Sequence, residues 1–366
     1  MNARYHTRLD KLRRSIRKAG ADAALISSFT NVTYLTGFTG DDSCLLLGAS
    51  EQIVLSDLRY ATQLQEECPG FDVQLRAPGT TMLQLVRQVV GRAGFVRLAI
   101  EADAMTVGFF EQLAAQLSRV QLCPTTGLVE ELRQIKEREE VQEIRRSVDL
   151  AQRAFAVICA SLQPEQTEQT IASELEHQIR KFGGRGCSFP PIVAVGSRAA
   201  LPHATPTAQR IGESDFLLID WGALAGRYAS DLTRVLVTGR ISPKLERIYG
   251  VVLTAQLRAI DAIRPGVKLS EVDAEARTVI AEAGFGKQFG HGLGHGIGLQ
   301  IHEAPRLAAN QDQRLRAGMV ITIEPGIYLP GWGGVRIEDD ILVTRSGHEV
   351  LSDVPKELDR CLVRVS

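Results

Sequence analysis

Two strongly apolar segments of this chain each end in an acidic residue. Residues 216–219 (FLLI) run directly into Asp220, and residues 320–323 (VITI) run into Glu324. Apolar strands of this kind are buried, so each carboxylate is expected to be buried as well. A buried ionised group without a partner costs free energy. Each acid taken alone is also explained as a turn residue at a strand end. Two such acids in one chain favour a fold that brings buried carboxylates to a common neutralising partner.

Each of these acids is followed, after a turn, by a second acid. We therefore predict two hairpins, each of which carries a pair of carboxylates that face each other across its strands. Two hairpins of the same design suggest a duplicated half-domain. The acids and their turn centres are Asp220 and Asp231 around Ala225-Gly226, and Glu324 and Glu338 around Gly331.

Histidines concentrate in the same half of the chain. Of the seven histidines, His203, His291, His295 and His302 lie there, and the last three fall within twelve positions. Glycine occupies every second position from 290 to 298, which we interpret as room for the backbone to approach a ligand closely. An isolated histidine is more often a surface or packed residue. The histidines that we interpret in this way are His6, His177 and His348.

Several buried carboxylates cannot ionise together without a cation. Four acids and one neutral imidazole carry four negative charges, which two divalent cations would balance. Oxygen-rich ligation with a single histidine favours Mn²⁺ over Co²⁺, Fe²⁺ or Zn²⁺. The sequence therefore predicts a site for two divalent metal ions.

Three common catalytic patterns are absent from the sequence. No register of the glycine-rich stretch gives a dinucleotide-binding fingerprint, and no Gly-x-Ser-x-Gly elbow of a serine hydrolase occurs. His302-Glu303 does not extend to the zinc-protease helix motif, because the position of the second histidine is Arg306. The six cysteines are scattered without a close pair, so we expect reduced, structural thiols.

Charge and hydropathy limit the partners and the location. Lys+Arg 42 against Asp+Glu 43 gives a net charge of −1, which offers no general attraction to nucleic acid or anionic lipid. No segment approaches the roughly 18 apolar residues of a membrane span. We therefore expect a cytoplasmic protein that binds neither nucleic acid nor membrane.

Hydrophobic patterns divide the chain near residue 125. Before this point strand-like segments alternate with helical ones, which predicts an α/β domain over residues 1–125. After it, long helical patterns mix with the two hairpins, which predicts an α+β domain over residues 126–366. In this second domain a helical stripe runs from Leu132 to Ile158, and the segment between Phe182 and Phe216 is predicted to be a loop rich in glycine and proline.

Five short motifs place the four acids and His295 in a recognisable order. They resemble the motif series of the proline-specific metallopeptidases aminopeptidase P and prolidase. Tyr34-Leu35-Thr36-Gly37-Phe38 and Asp57-Leu58-Arg59-Tyr60 resemble the non-catalytic N-terminal domain of the same family, so the resemblance covers nearly the whole chain. The five motifs are Asp220-Trp221-Gly222-Ala223, Asp231-Leu232-Thr233-Arg234, Gly294-His295-Gly296-Ile297-Gly298, Thr322-Ile323-Glu324-Pro325-Gly326 and Arg336-Ile337-Glu338-Asp339.

The resemblance implies a fold and a set of roles. The second domain is expected to have the pita-bread fold, a curved sheet covered by helices with two metal ions in its concave face. Asp231 and Glu338 are expected to bridge the metals, and His295 to bind one of them. The implied metal ligands are Asp220, Asp231, His295, Glu324 and Glu338. The implied catalytic residues are His203, His291 and His302, which contact substrate, Glu324, which accepts a proton, and Arg336, which supports the site.

The resemblance favours an Xaa-Pro aminopeptidase that acts on proline-containing peptides as a homodimer or larger homo-oligomer. An Xaa-Pro dipeptidase, or prolidase, is the alternative, and a non-catalytic peptide-binding or scaffold protein is a more remote one. Creatinase has this fold without these metal ligands, and methionine aminopeptidases lack the first domain. His291 and Trp332 are candidates for a proline pocket, and Arg306 either contacts a substrate carboxylate or is a solvated surface residue.

Overall fold

The computed structural model describes residues 3–363 as two compact units that divide between Arg133 and Gln134. Residue 125, where the sequence placed the boundary, is the last residue of a strand in the first unit. The first unit extends to Arg133, whose guanidinium donates a hydrogen bond to Asn31 Oδ1 at 2.9 Å. Within residues 3–363, every helix is too short or too polar to span a lipid bilayer.

The first unit alternates strands with helices around one six-stranded sheet. Its strands are β1 (Ala23–Ile26), β2 (Cys44–Leu47), β3 (Gln52–Asp57), β4 (Asp72–Arg76), β5 (Arg97–Glu101) and β6 (Gln121–Thr125). Its helices are α1 (Ala3–Lys18), α2 (Phe29–Thr36), α3 (Ala61–Glu67), α4 (Met82–Ala93), α5 (Val107–Gln116) and α6 (Glu130–Arg133). The strand order is β4-β3-β2-β1-β5-β6, with β2 antiparallel to both neighbours and the other pairs parallel. The predicted α/β layer is confirmed.

The strands β1 and β2 leave a clear pattern in the sequence, whereas the helix α2 does not. Both strands are buried along their whole length, and they read as continuous apolar runs. Seven of the eight residues of α2 are buried as well. A helix without a solvent face shows no alternation of apolar and polar residues, so periodicity could not reveal it.

The second unit contains four long helices and twelve strands within the described residues. The helices are α7 (Arg138–Ser161), α8 (Glu168–Lys181), α9 (Pro243–Asp261) and α10 (Leu269–Glu282). The strands are β7 (Ile192–Val195), β8 (Phe216–Trp221), β9 (Leu224–Ala225), β10 (Tyr228–Ala229), β11 (Leu232–Val237), β12 (Gly294–Gly296), β13 (Glu303–Leu307), β14 (Val320–Ile323), β15 (Gly326–Leu329), β16 (Gly333–Arg336), β17 (Asp339–Val343) and β18 (His348–Val350).

The same succession of elements occurs twice in this unit. Helices α7 and α8 precede the antiparallel strands β7, β8 and β11, and helices α9 and α10 precede the antiparallel strands β12, β14 and β17. An isolated bridge between Thr233 and Glu338 joins the two sheets, with the Glu338 N–H donating to Thr233 O at 3.2 Å. The repeated order agrees with the predicted duplication, and the bridge brings the ends of the two acid-bearing hairpins together.

Strand β8 is buried on both faces, which explains its unbroken apolar sequence. Leu217 and Ile219 pack into a core with helices α7 and α8, where Trp221 stacks on Phe155 at 4.0 Å between ring centroids. The alternate residues Phe216 and Leu218 pack into a second core with helices α9 and α10. Side chains alternate between the faces of a strand, so Asp220 continues the row of Phe216 and Leu218 beyond the apolar core.

Two predictions for the second unit were wrong. The helical stripe from Leu132 to Ile158 is interrupted between α6 and α7, where the Lys136 N–H donates to Gly318 O at 2.8 Å and Lys136 Nζ pairs with Glu303 Oε1 at 2.7 Å. The apolar periodicity continues through this break because both sides pack inward. The predicted loop between Phe182 and Phe216 contains the buried strand β7, which is too short to stand out among its proline and glycine neighbours.

Candidate metal centre

The first hairpin places Asp220 and Asp231 at one end of the β8–β11 ladder. Asp220 lies directly opposite Thr233, so the two side chains share a face. Asp231 immediately precedes β11, and its N–H donates to Asp340 Oδ2 at 3.0 Å. Both acids are less than one-tenth exposed. The sequence had predicted that Asp231 faces Asp220 directly across the hairpin. In the structure Asp231 instead lies beside Asp220, at the end of the strand.

The second hairpin brings Glu324 and Glu338 to the same place. Glu324 follows β14, where the hydroxyl of Thr322 donates to Glu324 Oε1 at 3.2 Å. Glu338 precedes β17, and the Thr233 hydroxyl of the first hairpin donates to Glu338 Oε2 at 2.6 Å. A threonine from one hairpin thus orients an acid from the other.

His295 lies on β12 between two glycines that have a packing role. A Cβ atom at Gly294 would lie 2.1 Å from Thr322 O, and one at Gly296 would lie 2.3 Å from Ala304 O. These glycines let the neighbouring strands β13 and β14 approach, rather than a ligand as the sequence suggested. Their effect on the site is to hold the imidazole of His295 close to the acids.

Three ligand atoms converge on one point. One atom each of Asp231, His295 and Glu338 lie within 4.8 Å of one another. His295 Nε2 is 3.5 Å from Asp231 Oδ2 and 3.3 Å from Glu324 Oε1. His295 Nδ1 is 3.1 Å from Gly296 O, so the tautomer that donates from Nδ1 turns the Nε2 lone pair toward the acids.

All nine predicted site residues line a single cavity of about 780 Å³. The structure therefore brings together side chains that lie as far apart in the sequence as His203 and Glu338, a separation of 135 positions. The nine are His203, Asp220, Asp231, His291, His295, His302, Glu324, Arg336 and Glu338.

Burial and mutual repulsion disfavour the ionised acids. Burial raises the pKa of Asp231 well above its ordinary value, and the charges of Glu338 and Asp220 raise it further. Burial, followed by Glu324 and Asp220, likewise raises the pKa of Glu338. Burial raises the pKa of Glu324 to about 8. A cation among these carboxylates would reverse the balance and let them ionise.

The donor set fits divalent cations. Burial raises the pKa of Asp220, although Arg336 Nη2 donates to Asp220 Oδ2 at 2.6 Å and favours the ionised form. The other oxygen, Asp220 Oδ1, is buried and has no hydrogen-bond partner within residues 3–363. Burial and then His302 lower the pKa of His295 to about 3, which keeps its imidazole neutral and able to bind a metal. Unpaired acceptors and a neutral imidazole are what a metal ion requires.

Comparison with known proteins identifies the family. The profile of metallopeptidase family M24 matches residues 142–345, and that of the Creatinase/Prolidase N-terminal domain matches residues 8–135. The chain belongs to metallopeptidase family M24. It is 38% identical over 351 residues to the uncharacterized peptidase YqhT of Bacillus subtilis, covering 96% of this chain and 99% of that protein.

Solved structures give the same assignment for the M24 metallopeptidase. A structure of Xaa-Pro dipeptidase from Bacillus anthracis is 38% identical, with a TM-score of 0.93 and coverage of 97% of this chain and 99% of that one. A structure of X-Pro aminopeptidase from Thermotoga maritima is 33% identical, with a TM-score of 0.87 and coverage of 96% and 100%. The prediction of a creatinase-type N-terminal domain with a pita-bread catalytic domain is confirmed, and so is the prediction of an enzyme rather than a scaffold.

Sequence reasoning missed Tyr328, which links two of the predicted residues of the M24 site. Arg336 Nη1 donates to the Tyr328 hydroxyl at 2.9 Å, and that hydroxyl lies 3.0 Å from His291 Nε2. His291 Nδ1 is 2.8 Å from Gly292 O, which suits a tautomer protonated on Nδ1. In that tautomer His291 Nε2 accepts a hydrogen bond from the Tyr328 hydroxyl. The hairpin register held the signal, because Tyr328 pairs with Gly334 and is a diagonal neighbour of Arg336.

Arg306 and Trp332 have different surroundings. Arg306 lies opposite His295 in the β12–β13 ladder and lines the cavity. Its charge helps to lower the pKa of His302, after the larger effect of burial. Trp332 packs on Phe216 at 5.4 Å between ring centroids and lies under Lys244 Nζ at 4.8 Å. Trp332 is not among the residues that line the cavity in the described part of the chain, which makes it a packing residue.

Proposed function

We propose that this metallopeptidase hydrolyses Xaa-Pro bonds, with Xaa-Pro dipeptides as its preferred substrates. The observation that carries the proposal is the position of Arg306 in the same cavity as the five metal-ligand candidates. Arg306 forms no ion pair or side-chain hydrogen bond with any residue in the described range 3–363. An unpaired guanidinium near a hydrolytic centre suits the terminal carboxylate of a short peptide.

The five acceptors Asp220, Asp231, His295, Glu324 and Glu338 would hold two divalent ions, Mn²⁺ in the first instance. When bound, such ions supply Lewis acidity and a water of lowered pKa. Glu324, ionised beside the bound cations, would accept a proton from the attacking water and return it to the leaving nitrogen. His203 and His302 reach into the cavity from separate segments, where an N–H can donate to a carbonyl oxygen that gains negative charge.

The preference for proline is supported by the relatives and by the lining of the cavity. A bond that precedes proline is a tertiary amide without an N–H, so the site needs no acceptor for that group. Apolar side chains that suit a pyrrolidine ring line part of the cavity, and they are Phe189, Pro190, Pro191, Ile192 and Ile301. The B. anthracis and T. maritima relatives, a dipeptidase and an aminopeptidase, both carry this specificity in their names.

An Xaa-Pro aminopeptidase, which the sequence had favoured, is the second candidate. The similarity to the T. maritima aminopeptidase supports it. Arg306 gives the dipeptidase precedence because a longer peptide would place its carboxylate away from this side chain. The Mn²⁺ preference, the homo-oligomer and the cytoplasmic location stay predictions, as do the individual roles of the site residues.

Substrate length and terminal charge test the proposed function directly. We expect hydrolysis of Ala-Pro in the presence of Mn²⁺ and its loss after chelation. Ala-Pro-Gly and the amide Ala-Pro-NH₂ should both be poorer substrates, because neither places a carboxylate at Arg306. Equal rates on all three would favour the aminopeptidase, and no hydrolysis of any of them after addition of Mn²⁺ would refute both candidates.

Arg306→Gln should raise KM for Ala-Pro by about 10- to 100-fold, the usual effect of losing a charge-assisted hydrogen bond. The same change should leave Ala-Pro-NH₂ hydrolysis within about threefold, because the amide carries no charge to lose. Arg316→Gln, a change at an exposed arginine of the same unit, serves as the control. An equal loss on both substrates would place Arg306 in a structural role.

A further inference from the structure

Glu168, the first residue of α8, is a buried carboxylate outside the metal centre. Its relative exposure is 0%. Burial of a carboxylate requires charged or hydrogen-bonding partners, and those of Glu168 all come from one segment, residues 195–207. This segment leads from the end of β7 back past α8.

Both oxygens of Glu168 are used to join the two ends of the segment. Oε1 accepts the Val195 N–H at 2.8 Å, and Oε2 accepts the Thr207 N–H and the Thr207 hydroxyl, each at 2.8 Å. Arg198 Nε lies 3.0 Å from both oxygens. Arg198 Nη2 in turn donates to Thr205 O at 2.6 Å. One carboxylate therefore holds the start and the end of a segment of thirteen residues, 195 to 207 inclusive.

The clamped segment forms one wall of the catalytic cavity. Residues 202–206, with His203 among them, all line that cavity. Pro202 O accepts a hydrogen bond from Arg336 Nη1 at 3.3 Å, which ties the segment to the metal-ligand side. The His203 side chain has no hydrogen-bond partner within residues 3–363, so the backbone of the segment determines where its imidazole lies.

We propose that Glu168 is a positioning residue for substrate binding: it clamps residues 195–207 so that His203 faces the scissile carbonyl. The inference rests on the proposed function for the role of His203. The chemistry of the clamp requires a charge. A carboxylate accepts from all four donor groups, whereas a glutamine amide would turn its own N–H groups toward either the Val195 or the Thr207 donors.

The kinetic test uses Glu168→Gln, with Ala-Pro as substrate and Mn²⁺ bound. We expect kcat/KM to fall by about 10- to 100-fold, the effect of losing charge-assisted hydrogen bonds. Mn²⁺ affinity, measured by calorimetry, should stay within about twofold because Glu168 contacts none of the metal-ligand candidates. Glu165→Gln, a change at an exposed glutamate just before the same helix, should leave both quantities at their wild-type values.

A double-mutant cycle separates positioning from general support of the fold. If Glu168 acts through His203, Glu168→Gln should cost less than about threefold in a His203→Ala background, since the group to be positioned is already gone. An equal loss in both backgrounds, or a parallel loss of Mn²⁺ affinity, would overturn the proposal. Glu168→Asp keeps the charge but shortens the side chain, and it should restore only part of the rate because it cannot reach both ends of the segment.

Hydrogen exchange distinguishes a failure of this inference from a failure of the proposed function. Glu168→Gln should accelerate amide exchange in residues 196–206 and leave β8 and β14 protected, whether or not Ala-Pro is a substrate. Unchanged exchange in that segment would refute the clamp. If Glu168→Gln does not fold, Arg198→Met and Thr207→Val each remove one partner of the carboxylate, and each is expected to give the same local acceleration.

Discussion

Asp231→Asn is expected to abolish metal-dependent peptide hydrolysis and, at the same time, to stabilise the metal-free protein. Asp231 is buried beside Glu338, Glu324 and Asp220, and burial and these charges raise its pKa well above the ordinary value. An asparagine has nearly the same shape and keeps the backbone N–H that donates to Asp340. It removes one of the acids whose repulsion the folded chain must otherwise bear.

The two effects of Asp231→Asn have opposite signs. A bound metal ion favours the ionised carboxylate of Asp231, whereas burial and the neighbouring acids disfavour it in the metal-free protein. Loss of a group in the outer shell of a metal site costs about 10- to 100-fold in affinity or activity, and loss of a direct ligand should cost more. Each unit by which folding raises the pKa of a buried carboxyl, up to the ambient pH, costs about 1.4 kcal/mol of stability, and an asparagine does not carry this cost. The wild-type protein should therefore gain much more stability from Mn²⁺ than the variant does.

Thermal unfolding with and without Mn²⁺, together with Ala-Pro hydrolysis, measures both effects of Asp231→Asn. In the presence of a chelator, the variant should have a higher melting temperature than the wild-type protein, and added Mn²⁺ should reverse this order. Asp359→Asn, a change at an exposed acid of the same unit, should alter neither melting temperature nor rate. A chelated variant that melts below chelated wild type would mean that Asp231 is held by structural contacts and does not await a cation.

The set of metal-ligand candidates that share one cavity could be picked out from the sequence because each candidate has a local signature. Asp220 and Glu324 each come directly after a strongly apolar segment of four residues, and their partners follow one turn later. His295 lies in a run of alternating glycines, of which Gly294 and Gly296 serve strand packing rather than ligand approach. Local patterns of this kind survive in a single sequence, and the fold only has to bring them together.

The residues that hold these candidates in place have no such signature. Thr233 and Glu338 are bonded across 105 positions, and Arg234 and Asp339 are also separated by 105. Glu168 and Thr207 meet across 39 positions, in a segment that reads as an ordinary loop. Buried polar pairs are specified by tertiary packing, and neither residue of a pair looks different from a surface residue in the sequence.

Arg234 and Asp339 form one such buried pair, and Arg234 also contacts the backbone of the metal-ligand candidate Glu338. Its Nη1 donates to Glu338 O at 2.6 Å, and its Nη2 donates to Asp339 Oδ1 at 2.6 Å. Further donations reach the backbone of the C-terminal segment, at Val354 O and Pro355 O. Although burial raises the pKa of Asp339, Arg234 and Lys356 hold it at about 2. These cations thus favour the ionised form of Asp339 in the interior.

Arg234→Met is therefore expected to be among the most destabilising single changes in the second unit. Removing one partner of a buried ion pair costs about 3–5 kcal/mol, which corresponds to a melting temperature lower by roughly 6–20 °C for a domain of this size. Urea unfolding in the presence of a chelator measures the free energy of unfolding. Mn²⁺ calorimetry should show weaker binding, because the Glu338 carbonyl loses the hydrogen bond that the Arg234 guanidinium donates to it.

Arg145→Met provides the matched control for this prediction. Arg145 pairs with Glu349 at 2.6 Å, the same distance as Arg234 to Asp339, but its side chain is 40% exposed rather than 1%. An exposed pair contributes about 0–1 kcal/mol because water replaces the lost partner. If the two variants unfold at the same urea concentration, burial does not set the strength of these pairs. If only Arg234→Met is destabilised, the free-energy difference between the variants gives the cost of leaving Asp339 and the carbonyl groups behind the metal centre without their guanidinium.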